Sequence, residues 1–570
     1  MRIDVLNIKN FRSLEDICWV IPEPNKCGVI MGENNVGKTN ILLALELFFA
    51  NSSQNAPEEV FKDSQKDIEI LIRFVSLTDT EKKLHGKNIL EINKDSNIEE
   101  CIIVKLVVHP PKTSTKKRLE YFFAQKEENS DKSELIDKSE YTKIFESIPA
   151  NLYWGNPFGA RNITEGYLPK FFYLPAIDDI TNYLTLKKEG YLGELIADII
   201  GKISGETTPV QKVKEGLKEL SSINAISEFN EKVSEKIKTL FDSGDFQLKI
   251  GEPDFLKVLQ LAYETTLTDE VETSPKLKGE GMQRALIFAI LQVYAELIRN
   301  KLIAGEMSRS LIFAIEEPEL YMHPQKQLSF SNALETICEM DQVLFTSHSP
   351  YLIKIADYKN HARITKEGDN SLIIQCSEDI YKKYEAIFKD DPNKEDFDLS
   401  IRFNSEINRI FFAKRAIVVE GPEDKAFFEA IISKLKSTIL IEKLVSIICC
   451  GGKGSIPPIL SILNEFKLPY LVIYDKQQTN NQENSKIEGV VEQSNEMGSF
   501  FSLDPKLETF LKKHKNLKDV EWSKYFRNKG EDDHFISPFH AYKFVKNEIT
   551  TDIIIPEEIK EKINLFLQNS

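Results

Sequence analysis

No stretch of the chain approaches the roughly 20 uncharged apolar residues that span a bilayer, and the opening MRIDVLNIKNFRS lacks the apolar centre of a secretion signal. A cytoplasmic protein with no membrane partner is therefore expected. Cysteine is scarce and unpatterned: seven residues, an odd number, without the paired spacings of a metal site. Cys449 and Cys450 are adjacent, an arrangement that rarely bridges, so reduced thiols are expected. Positive charge is in deficit, 73 Lys and Arg against 89 Asp and Glu for a net charge of −16, which confines any nucleic-acid site to a local basic patch. Internal repeats and sustained heptads are missing too. What is there is an ordinary soluble composition, 41% hydrophobic and 28% charged. At 570 residues it exceeds what one core organises, so two or three domains are expected.

The first chemical signal is GENNVGKT at 32–39, set between the apolar strand that ends in GVIM and the helical run NILLALELFF. Strand, glycine-rich loop and helix, in that order, make a P-loop. Gly32, Asn35 and Gly37 let successive amides face the phosphates of ATP, with the helix N-terminus behind them. Lys38 is placed to reach the β and γ phosphates, and Thr39 to give a hydroxyl to Mg²⁺. A second apolar strand ending in acids should follow, and LIFAIEEPEL at 311–320 supplies it. Glu316 is expected to hold Mg²⁺ through water, and Glu317 to orient or deprotonate the attacking water. QVLFTSHSPYLI adds a third strand followed by His348, a candidate γ-phosphate sensor. In LKGEGMQRALIFAIL, Gly279 and Gly281 precede a helix with Gln283 and Arg284 in its first turn. In a head-to-tail dimer that N-terminus faces the partner's γ-phosphate.

These segments resemble the ABC-type ATPase head shared by SMC and related repair proteins. The opening IKNFRSLEDI is similar to the first hairpin of that group, which implies that Arg12 lies near the nucleotide. Two departures stand out: glutamate at 316 where many P-loop proteins carry aspartate, and Lys278 in place of the signature serine.

The resemblance implies an α/β fold in which an ATPase domain of SMC and ABC type is built from residues 1–180 and 256–375. Residues 66–125 read mostly as strands. The intervening 181–255 are helical in pattern, either as an ordinary subdomain or as an insertion that holds two chains together. A polar linker, 376–412, leads to a second α/β domain over 413–570.

That domain begins AIVVEGPEDKAFFEAII, a strand ending at Glu420, a Gly-Pro turn and a helix with Asp424 in its first turn. LVSIICCGGKGSI and LPYLVIYDKQQ follow, the latter a strand that ends in Asp475. Carboxylates at the carboxyl ends of parallel strands make a compact site. The order resembles the Toprim domain of topoisomerases, primases and certain nucleases, whose first glutamate and Asp-x-Asp pair bind Mg²⁺. Glu420 and Asp475 match that pattern and Gln477 does not; an amide ligates a hard cation without adding charge. Lys476 lies beside them.

An ATPase head followed by Toprim is similar to the OLD (overcoming lysogenization defect) family, and the resemblance covers nearly the whole chain, including IEEPELYMHP, TSHSP and FFAKRAIVVEGPED. It implies an ATP-binding DNA endonuclease dependent on Mg²⁺ or Mn²⁺, with two ions in the Toprim site and a role in antiphage defence. It places the next acid on Asp424, a further acid on Asp504 or Glu508, and a late basic residue on Lys529. A homodimer or larger homo-oligomer is implied. A system partner, such as a helicase-like protein or a retron reverse transcriptase with its small DNA, belongs to some relatives. The basic stretch from Lys506 to Lys529 is either a DNA track or a solvated face. The rival readings are an ATP-gated clamp that binds DNA or a partner through a degenerate Toprim domain, and a DNA-repair ATPase.

Overall fold

Strands that read as unbroken apolar runs are buried on both faces, which requires a sheet covered by other layers on each side. The computed structural model describes residues 1–50, 58–94, 97–110, 119–126, 134–148, 151–155, 167–176, 228, 231–235, 266–268, 271–299, 310–389, 406–435, 444–476, 481–529, 532–549 and 555–568. These form two units, Met1–Pro175 with Ser310–Ser570, and Ala176–Arg309. The α/β expectation holds. The helical segment expected over 181–255 lies outside the described residues apart from 228 and 231–235, which are helical.

In the larger unit, six strands lie in the order Lys170–Leu174, Leu311–Glu316, Gln342–Thr346, Gly28–Gly32, His361–Glu367 and Asn370–Ile374. The first five are parallel, and the last turns back antiparallel at the edge. The P-loop strand thus sits beside the strand that leads to His348 and one place from the strand that ends in Glu316. A second, antiparallel sheet contains Leu14–Val20, Arg2–Phe11, Ile68–Val75, Asn97–Val108 and Leu119–Gln125 as consecutive neighbours. The helix Lys38–Phe49 packs into the core shared by both sheets, where Ile41, Leu42, Leu45 and Phe48 are buried. Tyr121, buried in the antiparallel sheet, donates to the Phe48 carbonyl at 2.6 Å and so pins the end of that helix. The stretch 66–125 is strand-rich as expected, with one interruption, the helix Asp79–His85, started by a Thr78 and Glu81 capping box.

The Toprim region is a four-stranded parallel sheet in the order Val445–Cys449, Arg415–Val419, Tyr470–Asp475 and Gly498–Leu503. Ile417, Val419, Leu471 and Ile473 alternate onto one face. There they join Phe427 of the helix Pro422–Leu435 and Phe544 of the helix Pro538–Glu548 in one core. Each such aromatic, fully buried, contributes roughly 1.5–3 kcal/mol. The alternate residues Ala416, Val418, Tyr470 and Val472 are buried as well. A hairpin, Phe526–Lys529 with Asp532–Phe535, closes the domain near its carboxylates.

The smaller unit carries a short pairing of Leu267–Thr268 with Glu272–Thr273 and the helix Glu280–Arg299. Among the described residues no helix is long and apolar enough to cross a membrane.

Candidate functional site

Two groups of side chains stand out in the larger unit, and each is built by strand ends. At the first, Gly32 has φ +151°, and a Cβ there would lie 2.4 Å from the Ile364 carbonyl oxygen. Gly37 has φ +104°, and its Cβ would lie 2.4 Å from Ser371 Oγ and 2.6 Å from Ser13 Oγ. Both positions therefore require glycine. Asn35 takes the left-handed conformation between them, with φ +62°. Ser371 Oγ donates to the Val36 carbonyl at 2.6 Å, so the edge hairpin straps the loop from behind. The Lys38 ammonium is buried and donates to the Gly32 and Glu33 carbonyls at 3.2 and 2.7 Å. Burial lowers its pKa, against the opposing pull of Glu317, Glu319 and Glu316. Thr39 is exposed in the first turn. Arg12 Nη1 reaches Asn40 Oδ1 at 3.4 Å, which brings Arg12 to the first turn of the P-loop helix.

The acidic strand ends where expected. Glu316 is buried at its last position. Glu317 follows with φ +39°, its N–H held by the Thr346 carbonyl and Oγ1, each at 3.1 Å. Glu317 Oε1 lies 3.5 Å from His348 Nε2. Burial and then the Lys38 charge push His348 down to about 4, so at neutral pH the ring is uncharged. Glu319, which sequence reasoning leaves without a role, fixes this arrangement. Its buried Oε1 accepts from the His348 N–H at 2.5 Å and from Ser347 Oγ at 3.0 Å. Burial raises its pKa, and those hydrogen bonds oppose the rise. The last glutamate of Glu-Glu-Pro-Glu is the sequence signal for it.

In the smaller unit, Gly279 precedes the helix Glu280–Arg299 and Gly281 lies in its first turn. Gln283 Nε2 donates back to the Lys278 carbonyl at 2.7 Å, and Arg284 to the Ala176 carbonyl. Lys278 Nζ donates to the Val271 carbonyl at 2.7 Å, so the residue in the signature serine's place braces its own loop.

The second group lies at the carboxyl ends of the Toprim strands. Glu420 directly follows the strand Arg415–Val419. Asp424 Oδ2, in the first turn of the next helix, accepts from the Gly421 N–H at 3.0 Å. Asp475 ends the central strand, and its Oδ1 accepts from the Leu507 N–H at 3.0 Å. Glu508, next in the chain, is buried, with Oε1 accepting from the Phe535 N–H at 3.1 Å. The four acids feel one another. Burial first, then Asp424, Glu420 and Glu508, push Asp475 up to about 8. Burial, Glu508, Glu420 and Glu423 push Asp424 up to about 7. Glu420 is raised by burial and partly relieved by Lys453.

Of the alternatives at 504 and 508, the structure brings Glu508 to the cluster, while Asp504 is exposed. Lys476 points to solvent. Lys529 ends a hairpin strand, opposite Asp532 in register; its side chain, like all of Gln477, lies outside the described residues. Within the basic stretch, Lys506 is buried, Lys512 pairs with Asp533, and Lys524 pairs with Glu521 at 2.6 Å.

Lys453 is the residue at this centre that the motif order leaves unassigned. It is buried and donates to the main-chain carbonyl of Asp475. Its only sequence signal is the Gly-Gly-Lys at the end of the strand Val445–Cys449.

A divalent cation fits this donor set. Glu420 Oε2 is buried with no hydrogen-bond partner, and burial with mutual repulsion raises Glu420, Asp424 and Asp475, a rise that Lys453 offsets only in part at Glu420. Among the described residues no three donors already converge on one point, so carboxylate rotamers would have to turn inward to hold an ion.

Residues 1–353 match the family described as AAA ATPase domain. Residues 411–476, which include Glu420, Asp424, Lys453 and Asp475, match the overcoming lysogenization defect protein-like TOPRIM domain. An OLD nuclease of Thermus scotoductus is 23% identical over 493 residues, 83% of this chain and 81% of that protein. The Old nuclease of Escherichia phage P2 is 21% identical over 491 residues, 83% of this chain and 77% of its own. Endonuclease GajA of Bacillus cereus is 22% identical over 457 residues, covering 76% and 68%.

Proposed function

The chain belongs to the AAA ATPase domain family and carries an OLD-like TOPRIM domain behind its ATPase head, and from that premise we propose that it is a nucleotide-regulated DNA endonuclease dependent on Mg²⁺ or Mn²⁺. The observation that carries the reading is the second cluster: four acids from a strand end, a turn and two helix first turns gathered at the carboxyl ends of the parallel strands, one carboxylate oxygen buried without a partner. Mutual repulsion among such groups is unfavourable unless a cation is to be held there. A bound divalent cation supplies Lewis-acid polarisation of a phosphodiester and acidification of water. The chain's own share is positional. The Leu507 N–H and the Phe535 N–H fix one oxygen each of Asp475 and Glu508, which leaves the other oxygens for ligation. Hydrolysis adds water across one P–O bond and leaves a phosphate and a hydroxyl end.

In the head, Lys38, Thr39 and Glu316 bind ATP and its Mg²⁺, Glu317 orients water, and His348 reads the γ-phosphate as a neutral ring. A homodimer in which Gly279, Gly281 and Gln283 meet the partner's nucleotide completes that site. Antiphage defence in the cytoplasm, alone or with a system partner, is the setting that the family resemblance suggests. The clamp alternative draws on one feature, the amide of Gln477 where an acid is the pattern.

Nicking of supercoiled plasmid in Mg²⁺ and in Mn²⁺ tests the reading. Cutting by the wild type that Asp475→Ala abolishes is the expected result. A folded, ATP-binding wild type that cuts in neither ion would favour the clamp.

A further inference from the structure

Beyond the acids, the chain distributes its positive charge unevenly. Within the basic stretch from Lys506 to Lys529, Lys506 is buried, and Lys512 and Lys524 are spent on Asp533 and Glu521. The next helix, Pro538–Glu548, is different. Its Ala541, Phe544 and Val545 are buried in the Toprim core, which turns the opposite face to water. On that face stand Phe539, 65% exposed, and Tyr542, 50% exposed, one turn apart, and Lys543 and Lys546 continue the stripe. Single exposed apolar side chains are ordinary, whereas neighbouring ones mark a surface that meets something. Among the described residues no ion pair engages either lysine. The one acid of the helix, Glu548, lies at its far end, where it accepts from the Tyr525 hydroxyl.

The stripe leads away from the acids. Phe535, just before the helix, holds Glu508 through its N–H, and Phe539 follows four residues later. At the other end the Lys434 ammonium, on the last turn of the helix Pro422–Leu435, donates to the carbonyls of Lys546 and Ile549. The two helices therefore end together and begin together, and the first turn of Pro422–Leu435 is the one that carries Asp424. From Phe539 to Lys546 the helix rises about 10 Å, roughly three phosphate spacings along one DNA strand. We propose that this face binds single-stranded DNA, with Phe539 and Tyr542 stacking on unpaired bases and Lys543 and Lys546 meeting the phosphates of the strand that runs to the acids. The assignment rests on the reading of the Toprim domain as a DNA-cutting centre and adds its substrate class. Charge complementarity selects the occupant, because lysines with no acid beside them suit a polyanion. The rings select its form. A base can stack on an aromatic side chain only where no neighbouring base pair covers its face, which excludes the interior of an intact duplex.

Fluorescence anisotropy of a short labelled oligonucleotide with the full chain in EDTA, where binding is read without cutting, tests this. The wild type is expected to bind the single strand more tightly than the duplex of the same sequence. Phe539→Ala combined with Tyr542→Ala is expected to weaken single-strand binding roughly tenfold or more and to leave duplex binding unchanged, which also shows that the variant is folded. Phe539→Tyr combined with Tyr542→Phe keeps both rings and is expected to keep the wild-type affinity. Lys543→Ala combined with Lys546→Ala is expected to flatten the logarithmic salt dependence of single-strand binding by about 1.4, two phosphate contacts' worth. A wild type that prefers the duplex, an alanine pair that binds the single strand as the wild type does, or one that loses single strand and duplex equally overturns the proposal. So does a wild-type dimer that the alanine pair dissociates with DNA binding unchanged, since the face would then be a contact between two copies. Plasmid nicking separates the two readings: a wild type that nicks but fails these tests overturns the substrate class alone, and a folded wild type that neither nicks nor binds DNA overturns both.

Discussion

At the scale of single residues, burial favours the uncharged form at both centres and so moves their pKa values in opposite directions. In the head, burial keeps His348 neutral beside Glu317, whereas in the Toprim domain burial and three neighbouring acids push Asp475 up to about 8. The folded value of Asp475 lies above its ordinary 3.8, so the metal-free folded chain holds this proton more tightly than the unfolded chain. Its contribution to stability is then lost as pH rises from about 4 to about 8. In EDTA, Asp475→Asn is expected to have a higher urea midpoint than the wild type at pH 8, the two converging near pH 4. A gap that does not change with pH would contradict the assignment. Glu319 offers a second test. Glu319→Ala leaves the Ser347 hydroxyl and the His348 N–H without their acceptor, which costs about 1–3 kcal/mol. Glu319→Gln retains an acceptor oxygen and is expected to recover most of that loss in urea denaturation.

At the scale of elements, the same edge hairpin that completes the head sheet also shapes the P-loop. Ser371, on its second strand, holds the Val36 carbonyl and lies where a side chain on Gly37 would go. Gly37→Ala is expected to cost roughly 1–3 kcal/mol through its positive φ and to abolish ATP binding, measured by a fluorescent nucleotide. Binding that survives the substitution would mean that the loop has another way to close. This loop is legible in sequence because every constraint on it is local. The same holds for GVIM, LIFAI, QVLFT, AIVV and YLVIY, whose unbroken apolar character already specifies parallel strands covered on both faces. Lys453 and Glu508 are not legible in this way. Neither ends a strand, and each reaches the acids only because a loop or helix folds back over the sheet, at Gly451–Gly452 and at the helix Leu507–Lys513. Asp504 and Glu508 are four residues apart with the same chemistry, and only burial separates them. The helix Asp79–His85 is hidden for a related reason: seven residues between strands carry too little periodicity to announce a helix, although its capping box is local.

At the scale of the whole larger unit, the short segment Ile407–Phe412 is one place where the head meets the Toprim sheet, beside the Lys414–Glu33 ion pair at 3.4 Å. Asn408 Nδ2 donates to the Pro350 carbonyl at 3.0 Å, and its Oδ1 accepts from the Ile355 N–H at 3.1 Å, which ties the segment to the loop that carries His348. Phe412 lies 6.3 Å, ring to ring, from His348 itself. Phe411 packs between His361 and Phe466, at 6.1 and 4.9 Å, and Arg363 donates to the Phe466 carbonyl at 3.1 Å. Eight residues beyond Phe412 the chain reaches Glu420. A change at the γ-phosphate that moves the His348 loop therefore meets the strand that leads to Glu420 through a hydrogen-bonded asparagine and a ring. Coupling of this kind needs a contact that differs between nucleotide states, and the Asn408 bridge together with the Phe412 ring is the direct candidate. Asn408→Ala and Phe412→Leu replace neither a nucleotide-site residue nor an acid, and change only what packs against or holds the His348 loop. Each is expected to bind ATP with wild-type affinity and to cut DNA in its absence at the wild-type rate. The ratio of cutting with ATP to cutting without it should move towards one. If both variants keep the wild-type ratio, nucleotide control reaches the acids by another route, such as the contact between two chains.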